Sequence, residues 1–457
     1  MVRRRLFSML ACMLAGMMPT AVAGQEVFSL EKCLDYAVEH NQSLQKDRLG
    51  LETANLARKE VVGSLLPQIS ASAGITDNIQ KTTFAMPNFV NSMMPESMRD
   101  PNAPKYMTVT MGMDYSANWG ASVAQQVLNF SLFNAVNIAG QSQKMAELGV
   151  EMTTQDVIAQ TTLLYYNVQV LEFAMTQFDS SIALLDRTLG ILKANMDNGL
   201  MRKVDADRVK VSKTNLETQR GSMDQALELQ KKLLKLQMGF PMAQEIAVAE
   251  LDTEAVEQML SATTVQEFDI DRLPAFRMLK QQQGMLELQR KSAVYASLPV
   301  ITFVGNYSMN YMGDDFKGET FHHFPVSMLS LNLKMPIFTG MSNSAKLRKA
   351  KVELLKSGHD EQAMTESLSM NWAVASGQLE QQLQTVMAQK ENKQLAQEVF
   401  DVTEVNFAEG IASLSDLLNA QSQLIQSQMN YVNALNSSVQ AYIDLKKANG
   451  TVNELKK

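Results

Sequence analysis

Apolar and polar positions alternate in two stretches of the chain, and each stretch follows a Leu-Pro pair. One begins after Pro67 and the other after Pro299, and each has a returning stretch with the same alternation, Val109 to Trp119 and Leu329 to Leu333. Strands with one apolar and one polar face fit a barrel wall with lipid outside and water inside. The face of a soluble β-sandwich would alternate in the same way.

Two long segments, 105–240 and 337–457, contain no proline. Because proline breaks a helix interior, these segments predict long helices, which we place at 131–198 and 342–409. At about 1.5 Å per residue each would be roughly 100 Å long, a length typical of coiled coils and assembly elements. Shorter helices are expected at 29–64, 205–239, 273–297 and 416–449.

Apolar residues in the last of these helices recur on a seven-residue grid. The first row contains Leu417, Leu424, Tyr431 and Leu445, and the row beside it contains Leu418, Ile425, Val432 and Val439. A two-position stripe of this kind is typical of supercoiled packing, although an ordinary amphipathic helix in a bundle would also produce it.

The order of these features predicts two internal repeats. Leu66-Pro67 returns as Leu298-Pro299, Phe130 returns as Phe338, and Asn198-Gly199-Leu200 with Asp205 returns as Glu409-Gly410-Ile411 with Asp416. A repeat of this length means that a whole supersecondary unit is duplicated. The predicted domains are a signal peptide at 1–23, a first repeat at 24–240 with a hairpin near 66–130, an equatorial connection at 241–272, and a second repeat at 273–457 with a hairpin near 298–338. The first hairpin is the longer one, and its extra residues fall in a predicted loop from Ile79 to Tyr106.

The first residues have the anatomy of an export signal. Arg3 to Arg5 precede an apolar run from Leu6 to Met18, and Ala21-Val22-Ala23 is a cleavage motif. Cys12 lies inside the apolar run, which argues against its lipidation. Cys33 is then the single cysteine of the mature chain, so no internal disulfide is expected.

Composition and charge exclude several classes of protein. Apolar residues make up 46% of the chain, too many for a disordered protein, and the net charge of −7 argues against a nucleic-acid binder. After the signal no run of about 18 apolar residues follows, so no membrane-spanning helix is predicted. Four strands cannot close a barrel around a water-filled lumen, and an open edge in lipid would leave backbone groups unpaired. Several chains must therefore contribute to one barrel.

Three segments resemble the TolC-like outer-membrane efflux protein family. Residues 28–41 resemble the opening of its N-terminal helix, although Gln42 stands where a proline is usual, and residues 335–340 are similar to its strand-to-helix junction. Gly410-Ile411 followed by residues 416–420 resembles its helix turn at the periplasmic tip, and Gly199-Leu200 with Asp205 is a weaker copy of that turn.

The resemblance implies a mainly α fold with a β-barrel portion, in which a homotrimer forms a 12-stranded outer-membrane barrel that continues into a periplasmic α-helical tunnel. It implies an outer-membrane channel of a tripartite efflux or type I secretion system, which passively conducts substrates to the exterior. The implied partners are outer-membrane lipid, a periplasmic adaptor protein and an inner-membrane pump of the RND or ABC type, with no nucleic acid. The alternative is a non-channel coiled-coil adhesin or periplasmic adaptor scaffold, and neither would need two matched strand pairs.

The resemblance places the functional site at the closed periplasmic tip. Asp416 matches a position of the family's acidic constriction, and Asn419 and Asp205 are further pore candidates, while the family's arginine latch is replaced by Ala412. Three carboxylates in a trimer would repel each other and favour cations. The expected adaptor contacts are Gly199, Leu200, Gly410 and Ile411. Asp416 could instead be a first-turn helix acid, and the two apolar tip residues could make hydrophobic capping contacts.

Catalysis finds no support in the sequence. The four histidines lack zinc-motif spacing, and no nucleophile or phosphate-binding motif is present, so neither an enzyme activity nor a cofactor is predicted. Most of the 32 methionines are expected to fill apolar cores. No metal site is predicted, and only two groups merit a metal titration, namely Met86, Met93, Met94 and Met98 in the first outer loop and His322-His323 in the second.

Overall fold

The computed structural model describes residues 27–197, 202–263, 267–315 and 322–456. The chain forms two compact units. One contains Met1–Leu51, Met145–Lys280 and Gly358–Lys457, and the other contains Glu52–Lys144 and Gln281–Ser357. The predicted signal peptide with Cys12, and the tip residues Gly199 and Leu200, lie outside the described residues.

Helices account for most of the described chain, and two of them are very long. They are α1 (Leu30–His40), α2 (Gln42–Gly63), α3 (Phe89–Met93), α4 (Phe130–Asp197), α5 (Lys203–Met238), α6 (Thr253–Ser261), α7 (Pro274–Tyr295), α8 (Ser342–Ala408) and α9 (Leu414–Ala448). Gly239 follows α5 and Gly410 lies just beyond α8, and both have the positive φ that glycine adopts at the lowest cost. In the described part of the chain, no helix combines the length and the apolar character needed to cross a bilayer.

The helix expected over 29–64 is interrupted at Asn41, so a single continuous helix was the wrong prediction. The Asn41 N–H donates to the Ala37 carbonyl at 2.8 Å, which ends α1, and its Oδ1 accepts from the N–H of Leu44 at 3.0 Å, which caps α2. Its Nδ2 donates to the carbonyl of Gln237 in α5 at 2.7 Å. One buried asparagine therefore ends one helix, begins the next and ties both to a third.

Four strands form one antiparallel sheet in the order β2-β5-β7-β8. The strands of the chain are β1 (Val27–Phe28), β2 (Gln68–Asp77), β3 (Thr82–Pro87), β4 (Tyr106–Met111), β5 (Tyr115–Leu128), β6 (Ala247–Val248), β7 (Val300–Gly313) and β8 (His322–Lys334). Ile69 pairs with Val123, Val123 with Gly305, and Gly305 with Leu329. Because side chains alternate along a strand, one face of the sheet is apolar and the other mainly polar.

The N-terminal half of β8 departs from this alternation. Phe324, Val326 and Met328 pair with Asn310, Ser308 and Asn306 of β7 and so lie on the mainly polar face. Beyond them Leu329, Leu331 and Leu333 lie on the apolar face, as the sequence pattern indicates.

The returning strand expected from Val109 to Trp119 is in fact two strands, and the prediction of one continuous strand was wrong. β4 pairs with β3 and ends at Met111, Gly112 follows with φ +108°, and β5 begins at Tyr115 and pairs with β2. The extra residues of the first hairpin therefore build a second small sheet, β3–β4, where the sequence predicts only a long loop.

Helix α9 supplies much of the core of the first unit. The buried residues of its seven-residue grid are Leu417, Leu424, Tyr431, Val432, Val439 and Leu445. Leu435 packs in one cluster with Ile158 of α4 and Leu379 of α8. Gln421, a polar residue beside the grid, is also buried, and its Nε2 donates to the carbonyl of Ser181 at 3.3 Å.

Candidate functional site: the α8–α9 turn

The turn between α8 and α9 is a Schellman motif at Gly410. The N–H of Gly410 donates to the carbonyl of Phe407 at 3.0 Å, and the N–H of Ile411 donates to the carbonyl of Asn406 at 2.8 Å. Gly410 has φ +75°, a conformation that other residues rarely adopt. The motif is often completed by an apolar contact from the residue after the glycine, but Ile411 is 77% exposed. The Ile411 side chain is therefore accessible at the turn.

Asp416 occupies the third position of α9, in a capping box with Ser413. The Asp416 N–H donates to Ser413 Oγ at 3.2 Å, and Asp416 Oδ2 accepts from the N–H and the hydroxyl of Ser413 at 3.0 and 2.7 Å. These hydrogen bonds, the side-chain one first, hold the pKa of the Asp416 carboxyl below its ordinary value. The carboxylate is therefore ionised at neutral pH. It is exposed to solvent and also caps the helix.

The other two pore candidates have different surroundings. Asn419 is exposed one turn beyond Asp416 on the same helix. Asp205 holds the corresponding third position of α5 but is only 7% exposed, and Arg202 Nε lies 3.2 Å from its Oδ2. Within the chain the Asp205 charge is therefore matched by a cation, while the Asp416 charge faces outward.

One hydrophobic cluster supports the beginnings of both return helices. Leu192 of α4, Val209 of α5 and Leu414 of α9 are buried in it together. The first turns that carry Asp205 and Asp416 consequently pack against the same cluster.

Two residues of the site were not singled out from the sequence. Ser413 was identifiable, because serine followed three residues later by an acid is a capping-box pattern. Arg202 was identifiable as well, because it lies three positions before Asp205, a spacing at which opposite charges on a helix can pair.

None of the residues considered for metal or thiol chemistry belongs to this turn. In the ranges that the structure describes, no group of three or more His, Cys, Asp or Glu side chains is placed to hold a metal ion. Met86 pairs with Met107 across the β3–β4 sheet, and the His323 ring stacks on Tyr311 with the centroids 5.8 Å apart. Cys33 is buried, and burial raises the pKa of its thiol to about 12, so the thiolate form is scarce at neutral pH.

A family model matches the second part of the chain. Residues 271–451 match the family model described as outer membrane efflux protein. The chain is 23% identical to the outer membrane protein TolC of Vibrio cholerae over 158 residues, which are 34% of this chain and 36% of that protein. It is 20% identical to the outer membrane protein TolC of Escherichia coli over 410 residues, covering 79% of this chain and 77% of that protein.

The similarity in fold extends over nearly the whole chain. The crystal structure of the outer membrane protein VceC from Vibrio cholerae superimposes with a TM-score of 0.70 at 15% identity, covering 92% of this chain and 96% of that one. At this level of identity the likeness is one of fold.

Proposed function

Because the chain belongs to the outer membrane efflux protein family, we propose that it is the outer-membrane channel of a tripartite efflux or type I secretion system. It conducts substrates passively to the exterior, and an inner-membrane pump of the RND or ABC type supplies them through a periplasmic adaptor protein. The observation that carries this proposal is the four-stranded sheet, which has an apolar face, a mainly polar face and two open edges.

The apolar face of the sheet suits a lipid environment. Ile69 is 78% exposed and Leu329 is 77% exposed, although both belong to paired strands. Strands β2 and β8 each have a partner on one side only, and lipid cannot satisfy the free backbone groups on the other side. If β8 of each chain pairs with β2 of the next, three chains close a 12-stranded barrel with the apolar face outward.

A row of exposed apolar side chains on α8 supports assembly from identical chains. The α8 stripe consists of Leu395, Val399, Val402 and Val405, each of which is more than half exposed. Spacings of three and four residues suit helix packing, and a contiguous exposed apolar patch usually marks an interface. The stripe therefore contacts a neighbouring copy, and the helices of the trimer form the periplasmic tunnel.

The two halves of the chain correspond as duplicated units. Asp205 and Asp416 stand at the third positions of α5 and α9, and each half contributes one hairpin to the four-stranded sheet. This correspondence supports the predicted repeats 24–240 and 273–457.

The α8–α9 turn is the closed end of the channel and the contact for the adaptor. Asp416 and Asn419 face the constriction, and Asp205 stays a weaker candidate because it is buried and paired. Gly410 and the exposed Ile411 contact the adaptor together with Gly199 and Leu200.

Purified protein inserted into planar lipid bilayers should produce discrete single-channel conductance, and an adhesin or adaptor scaffold would produce none.

Replacing Asp416 with asparagine should weaken the cation preference of the channel, because the trimer loses three exposed carboxylates at its constriction. Reversal potentials measured across a salt gradient would show the change. Unaltered ion selectivity would remove Asp416 from the gate.

The Ser413→Ala variant is the matched control for this substitution. It removes the reciprocal cap at a cost of about 1 kcal/mol but keeps the carboxylate, so selectivity should be retained.

The lowered pKa of Asp416 makes the stability of the folded protein depend on pH. The contribution of Asp416 to stability is present above its pKa in the unfolded chain and is lost as the pH falls through its lower pKa in the folded chain.

A further inference from the structure

Helix α9 carries a long segment without a single charged residue. Between Asp416 and Asp444, residues 417–443 include no Asp, Glu, Lys, Arg or His. The whole chain is 19% charged, so a segment of this length without charge is unusual for a helix that has an exposed face.

The exposed positions of this segment carry only amide or hydroxyl side chains, and five of the seven are amides. They are Asn419, Ser422, Gln423, Gln426, Asn430, Asn433 and Ser437, and we call them the α9 amide stripe. Most of them recur at spacings of three and four residues, which places them along one face of the helix. Gln426 Nε2 donates to Asn430 Oδ1 at 2.9 Å, so neighbouring amides on the stripe bond to each other.

The opposite face of α9 is fully engaged within the chain. Leu424 packs with Phe400 of α8, and Val432 packs with Val170 and Ala174 of α4. The stripe is therefore the side of α9 that the chain's own helices leave uncovered.

The stripe differs from the exposed faces of α8 and α5. The α8 stripe is apolar, as a face that contacts another copy should be. The exposed face of α5 is charged and includes Asp207, Arg208 and Lys210, as is typical of a face in bulk water. The α9 amide stripe is neither apolar nor charged, so neither of these surroundings accounts for it.

We propose that the α9 amide stripe is the wall of the channel that passing substrates touch, and that it makes this part of the tunnel electrically neutral. The inference rests on the proposed channel function. Amide groups donate and accept hydrogen bonds, so they can replace part of a polar solute's hydration whatever the sign of its charge. A ring of like charges would instead retain solutes of the opposite sign. The substrate class is therefore polar solutes of either charge, and charge selection is confined to the acidic ends of the stripe, Asp416 and Asp444.

Charge introduced at Gln426 tests this assignment. In the full-length protein in planar bilayers, Gln426→Lys should move the reversal potential toward anion permeation and Gln426→Glu toward cation permeation, each changing the permeability ratio about twofold or more. The matched control is Gln219→Lys, which adds the same charge at an exposed position of α5 and should leave the ratio unchanged. Equal shifts from the control, or none from Gln426→Lys and Gln426→Glu, would overturn the assignment.

A cysteine variant, which adds no charge, tests the same assignment independently of the folding of the two charged variants. Asn430→Cys should react with a small charged thiol reagent added to the lumen, and its channels should then lose conductance. The native Cys33 is buried and contributes no background reaction. Val402→Cys in the α8 stripe should be protected in the assembled protein. Protection of Asn430→Cys would mean that the stripe is an interface between copies. A protein that forms no channel at all contradicts the proposed function, whereas a conducting protein with these negative results contradicts only the neutral wall.

Discussion

Replacing Gly239 with alanine should destabilise the protein by about 2–4 kcal/mol, because alanine would be strained in the left-handed conformation that this glycine adopts and because there is no room for a side chain. Gly239 ends α5 with φ +73°, and a Cβ built on it would lie 2.9 Å from the carbonyl carbon of His40. The adjacent Gln237 carbonyl accepts from Asn41, so a shift of this turn would also disturb the α1–α2 junction. Thermal unfolding followed by the helical circular dichroism signal would measure the loss.

Gly221 provides the control within the same helix. It lies inside α5 with no atom within 4 Å of the position that an added methyl group would occupy, and its φ is not positive. Gly221→Ala should therefore stabilise the protein slightly, by about 0.5–1 kcal/mol, since alanine restricts the unfolded chain and favours the helix. Equal unfolding temperatures for the two variants would contradict the account of Gly239.

Two aspartates in the α8 stripe should prevent assembly. In the Leu395→Asp, Val402→Asp double variant, each chain would bury two carboxylates in an apolar interface, at a cost of roughly 2–4 kcal/mol per chain or more. We expect the detergent-extracted variant to run as a single chain with its helices intact, measured by light scattering and circular dichroism.

Gln397→Asp is the matched control for the stripe. Gln397 is exposed on α8 and donates to Asp401, so it belongs to the charged face of that helix. The same charge added there should leave the assembled form unchanged. If the double variant assembles like the unaltered protein, the stripe is not an interface between copies.

The long helices could be located from the sequence because their limits are local. Absence of proline allows the helix, and Gly340 and Gly410 mark the approach to α8 and its end, so the expected 342–409 and the observed Ser342–Ala408 differ by one residue. The alternation that predicts strands is local as well, and for that reason the sequence predicts the apolar and polar faces of β2 and of the C-terminal half of β8.

The departures from prediction depend on contacts that are distant in sequence. At Asn41 the cap of α2 is local, but the bond that holds this asparagine on α5 goes to Gln237, which lies 196 positions away, and no proline marks the break. The break at Gly112 occurs where the chain exchanges one strand partner for another, β3 for β2, while the alternation continues unchanged. A period-two pattern specifies a face and cannot specify a partner.

The candidate site was predictable only in part. Asp416 could be chosen because its capping pattern and its place after a glycine turn are local. Its difference from Asp205 could not, since Asp205 is buried by tertiary packing that the local pattern does not specify.

The mass of the protein extracted in detergent from outer membranes tests the central claim most directly. The sheet with two open edges and the α8 stripe both require neighbouring copies, so we expect a particle whose protein mass equals three chains. A single chain per particle, or recovery of the protein in the soluble periplasmic fraction, would contradict the channel.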